Sequence, residues 1–77
     1  MEELKSLVEF VKNGDDEQAI DLAKKLIKHD KPETIISCLT EGMRELGDKF
    51  ERKEVFLPEL LIASDALMEV MKIIEPY

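Results

Sequence analysis

Tryptophan is missing from the sequence, and cysteine and histidine occur once each among 77 residues. The lone thiol, Cys38, cannot close an internal disulfide, so a reducing cytoplasm is the expected compartment. It falls on an apolar helical face with no base beside it and reads as a small core side chain, not a nucleophile. The single histidine, His29 in "KHDKP", reads as a solvated residue at a helix end. Without a second His, another Cys or a suitably spaced carboxylate pair, no zinc site is expected. The Glu-x-x-His pairs of di-iron bundles are absent as well. Neither phosphate-cradling glycine loop, G-x-G-x-x-G or G-x-x-x-x-G-K, occurs, nor does the nucleophile turn G-x-S-x-G. A non-catalytic chain is expected.

Positive charge is also scarce. Eleven Lys and Arg against 18 Asp and Glu leave a net charge of −7. Phosphate backbones and anionic lipid surfaces are bound by basic stripes, so neither a nucleic-acid nor a membrane partner is expected. The longest nearly apolar run, Val55 to Ala63, contains Pro58 and Glu59 and is too short to span a bilayer. The start, "MEELKS", lacks the apolar segment of a signal peptide.

Three glycines, three prolines and few aromatics accompany a hydrophobic share of 44%. Abundant Leu, Ile, Ala, Glu and Lys then predict one all-α domain, a compact four-helix bundle. Leu4, Leu7, Val8 and Val11 share one face of a first helix ending before Asn13-Gly14. Asp15 or Asp16 caps a second, striped by Ala19, Ile20, Ala23, Leu26 and Ile27. Pro32 suits the first position of a third, whose expected core seam is Ile36, Leu39, Met43, Leu46 and Phe50. Gly42 and Gly47 lie inside it, each costing up to about 1 kcal/mol relative to Ala, which suggests that a backbone or a flat ligand approaches closely. A fourth helix is expected from Pro58 to about Ile74, burying Leu60, Leu61, Leu67, Met68, Met71 and Ile74. Short connections predict antiparallel neighbours.

The corner "ERKEVFLPELL" (Glu51 to Leu61) breaks the rule that turns are polar. With Pro58 as first helical residue, Phe56 would staple onto Leu61. Leu57 would be the N-cap, among the poorest residues for accepting a backbone N–H. A locally broken rule marks a place to look for function. The plain alternative, that Leu57 fills the end of the bundle core, is the one that pattern alone favours.

The segment "GMRELGDKFERKEVFLPELLIASDALMEVMKIIEP" (Gly42 to Pro76) resembles the helical cap domain of cobalamin-binding methyl-carrier proteins. These are the corrinoid proteins of anaerobic methyltransferase systems, together with the matching module of cobalamin-dependent methionine synthase. The shared pattern is Gly47-x-x-Phe50, then Phe56-Leu57-Pro58, then an amphipathic helix ending at Pro76. "NGDDEQAIDLAKKLIKHDKPETII" is similar to the family's Gly-Asp turn and second helix. The resemblance implies a cap over the upper face of cobalamin, with Phe50, Leu57 and Leu60 as the shielding contacts and methyltransferase subunits as partners. It also implies that residues 1–77 are the N-terminal part of a longer chain, followed by a Rossmann-like cobalamin-binding domain. The cobalt-binding signature Asp-x-His-x-x-Gly belongs to that domain, and His29 does not match it. Two other readings stand beside this one. The cap of a cobalamin-dependent sensor is disfavoured by the absence of Trp and of a Glu-His step. A free-standing interaction module would use the Val55-Phe56-Leu57 corner as a docking patch.

Overall fold

The computed structural model describes residues 2–76, and they form the expected all-α four-helix bundle. The helices are α1 (Glu2–Lys12), α2 (Asp16–Leu26), α3 (Pro32–Glu51) and α4 (Leu57–Ile74). Lys25 of α2 pairs with Glu3 near the start of α1, which makes these two antiparallel. Lys12 of α1 reaches Glu45 of α3, and Val8 lies against Gly42, so α1 and α3 run parallel. Helix α4 packs on α2 and α3 and touches α1 across the middle, while α2 and α3 hardly meet.

The ends of the helices follow from local chemistry. Asp15 caps α2 by accepting the Gln18 backbone N–H at 3.5 Å, and the Gln18 amide donates to Asp15 Oδ2 at 2.6 Å. Helix α1 closes in a Schellman turn. The Asp15 N–H reaches the Phe10 carbonyl at 2.8 Å, the Gly14 N–H reaches that of Val11 at 3.0 Å, and Gly14 is left-handed with φ 75°. Helix α3 ends the same way, with Glu54 N–H to Lys49 O at 2.8 Å and Lys53 N–H to Phe50 O at 3.0 Å. Here the left-handed residue is Lys53, at φ 65°. A side chain in that region costs about 1–2 kcal/mol. Lys53→Gly is therefore expected to raise the unfolding free energy by about 1 kcal/mol in a urea titration, part of the relief being offset by the greater freedom of glycine in the unfolded chain.

The core is built from Leu4, Leu7 and Val11 of α1, Ala19, Ala23 and Leu26 of α2, Ile35 and Leu39 of α3, and Ala66, Val70 and Ile74 of α4. Two expected seams are corrected. In α3 the buried row is Ile35, Leu39, Gly42 and Leu46. Ile36 and Met43 pack at its margin, and Phe50 is partly exposed. In α4 the buried row is Ala63, Ala66, Val70 and Ile74, while Leu61 and Met68 face solvent and Leu60, Leu67 and Met71 are half-buried. Helix α4 is apolar on nearly every side, so periodicity could not orient it. The bundle takes its small side: α2 and α4 lie together, and both present alanines, which lets their axes approach. Cys38, expected in the core, is half-buried at its edge.

Helix length decides what remains uncovered. Helices α3 and α4 have 20 and 18 residues and α1 and α2 have 11 each. At the helical rise this is about 30 and 27 Å against about 16 Å. The α1–α2 turn meets the longer pair at Ile62, which crowds Gly14, and near Glu45, which Lys12 reaches. Beyond that level the α3–α4 hairpin projects alone.

Candidate functional site

The projecting tip is apolar and open. Phe50 is 38% exposed, Phe56 74% and Leu57 51%. Leu60, one turn into α4, is half-buried, as is Val55. The three residues singled out from the sequence, Phe50, Leu57 and Leu60, thus lie at the same end of the bundle. The patch continues along α4 through Leu61, Ile62 and Met68, each more than half exposed, which sequence reasoning had partly assigned to the core. Leu57, Leu61 and Met68 recur at intervals of four and seven, so they share one side of the helix.

The helix start differs from expectation in a way that matters for Leu57. Helix α4 begins at Leu57, with Pro58 second, and the cap is Phe56, held extended at φ −98° and ψ 159°. Glu59 supplies half a capping box by accepting the Phe56 backbone N–H at 3.4 Å. The staple expected between Phe56 and Leu61 would leave both sheltered, yet both are exposed. With Phe56 as cap, the staple positions move to Val55 and Leu60, the two half-buried apolar residues of the corner. In the loop, Arg52 Nε donates to Glu54 Oε2 at 2.7 Å. That hydrogen bond, with the attraction of opposite charges, holds the Glu54 carboxyl below its usual range and the Arg52 guanidinium above its own.

Away from the tip, a groove of about 440 Å³ runs between α1 and α3; its lining includes Leu4, Val8, Cys38 and Gly42. Lys12 stands at its edge, shared between Glu9 at 3.5 Å and Glu45 at 3.4 Å. His29 is exposed. Among the described residues no group of three or more His, Cys, Asp or Glu is placed to hold a metal ion, and no helix is long and apolar enough to cross a membrane.

The B12 binding domain family model matches residues 3–75. The trimethylamine corrinoid protein of Methanosarcina barkeri is 37% identical over 70 residues, covering 88% of this chain and 32% of its own length. The trimethylamine corrinoid protein 1 of Methanosarcina acetivorans is 36% identical over 64 residues, covering 80% of this chain and 30% of its own. The monomethylamine corrinoid protein 1 of the same organism is 43% identical over 42 residues, 54% of this chain and 19% of that protein. The chain thus spans about a third or less of these relatives. No solved structure matches it. With nearly every residue inside the matched region and the apolar corner at its tip, the chain belongs to the B12 binding domain family.

Proposed function

We propose that this chain is the helical cap of a corrinoid methyl-carrier protein, covering the upper face of cobalamin without making or breaking bonds. One observation carries the reading: in a chain of the B12 binding domain family, Phe50 and Leu57 stand exposed at an overhanging tip with Leu60 behind them. Cobalamin, when bound, supplies the cobalt centre on which a methyl group is carried. The residues present fit one side of such a group, since they offer apolar surface and no set of metal ligands among the described residues. Phe50, Leu57 and Leu60 exclude water and competing nucleophiles from the face they cover. Holding the cofactor falls to a separate cobalamin-binding domain, and methyl transfer to methyltransferase subunits, in the reducing cytoplasm that the lone Cys38 suits.

Leu57→Ala tests this. The substitution is expected to change the stability of the chain by no more than the roughly 0.5 kcal/mol of ordinary surface changes. The chain is then joined to the cobalamin-holding part of the Methanosarcina barkeri trimethylamine corrinoid protein, in place of the matching residues. There Leu57→Ala is expected to leave cobalamin bound while reduced cobalamin oxidises several-fold faster, followed by its absorption spectrum. A large loss of stability with an unchanged oxidation rate would make Leu57 a packing residue and defeat the lid.

A further inference from the structure

Of the two glycines inside α3, only one has a reason to be there within the fold. A Cβ at Gly42 would collide with Val8 of α1, so that glycine lets two helices close. A Cβ at Gly47 would have no neighbour within 4 Å. Nor does the backbone demand glycine there, because Gly14 is the only glycine with positive φ among the described residues. Glycine in a helix interior is nevertheless unfavourable relative to alanine. Neither conformation nor internal packing explains Gly47.

Its position does. Met43, Gly47 and Phe50 follow one another at intervals of four and three and so form one row along α3. Glu45, two residues from Gly47 and therefore on the opposite side, reaches Lys12 of α1. Gly47 accordingly faces away from α1, and no atom of α4 lies within 4 Å of where its Cβ would be. It leaves a notch in that row beside Phe50, at the level where the hairpin leaves the cover of α1 and α2. We propose that Gly47 is a clearance position, at which the absence of a side chain lets the edge of the flat corrin macrocycle lie against the α3 backbone next to Phe50. This rests on the cap reading above and adds a positioning residue to it.

The test uses Gly47→Ala and Gly47→Leu, both in the chain by itself and in the cobalamin-loaded fusion, with Leu57→Ala alongside. Gly47→Ala is expected to raise the melting temperature of the chain by about 4–8 °C, the gain of a better helix former in a small domain. In the loaded fusion it is expected to speed oxidation of bound reduced cobalamin several-fold, and Gly47→Leu to do so further, because a side chain now holds the lid off the ring. A raised melting temperature with unchanged oxidation, while Leu57→Ala still speeds it, would overturn the clearance role and leave the lid intact. A lowered melting temperature for Gly47→Ala would also overturn it, by showing that the fold itself requires the glycine. If Leu57→Ala has no effect either, the cap reading fails, and this inference with it.

Discussion

Ile35→Ala is expected to cost about 2–5 kcal/mol, and Ile36→Ala distinctly less, in paired chemical denaturation curves. Ile35 is fully buried among the largest side chains of the core, between residues contributed by the other helices. Truncating it loses the transfer free energy of three carbons and leaves a void that the neighbours fill only in part. Ile36, one residue on, is turned by about 100° and packs at the margin, where water can take up the vacated space. A domain of 77 residues has about 4–12 kcal/mol of stability in total. The Ile35 substitution therefore removes a large share of that stability, and a loss of about 5 kcal/mol would unfold the chain were the total near its lower bound. Equal losses at the two positions would place the α3 seam wrongly.

Gly14→Ala is expected to be as damaging, for two separable reasons. The residue sits at φ 75°, where a Cβ costs about 1–2 kcal/mol. The new carbon would also run into Ile62 of α4, and overpacking of this kind costs about 1–3 kcal/mol. Together these predict a loss of about 2–5 kcal/mol. Ile62 is half exposed, so Ile62→Ala alone should cost little. The double substitution is therefore expected to recover the steric part while retaining the conformational part. Additive losses in that cycle would show that Ile62 does not press on the turn.

The first half of the chain was legible because its polar and apolar residues alternate cleanly. Leu4, Leu7 and Val11 could only be one face, and a cap for the next helix was expected at Asp15 or Asp16, of which Asp15 supplies it. The second half was harder for a physical reason. Ile35 and Ile36 are adjacent, and either continues a three-four pattern through Leu39. In α4, leucines and methionines outline one side as strongly as alanines and Val70 outline the other. Burial goes to the alanine side because small residues permit close approach of α2, which a count of large apolar residues cannot reveal. For Leu57 pattern alone favours core filling and only the family resemblance points to display; the N-cap position that drew attention to it belongs to Phe56. Leu57 is exposed because α1 and α2 are too short to reach it, and relative helix length combined with register is a tertiary quantity. Gly42 and Gly47 looked equivalent in the sequence; only the neighbour across α1 separates them.

The overhang also gives the molecule a long arm. The body measures 37 Å along its main axis against 20 and 19 Å across it. The apolar tip lies toward one end of that axis, so a small rigid rotation about the opposite end carries Phe50 and Leu57 through a wider arc than residues near the pivot. Hinge motions of intact domains need only a few backbone angles to change. In the proposed cap role, the tip would be lifted from cobalamin by leverage, with all four helices folded and the core undisturbed.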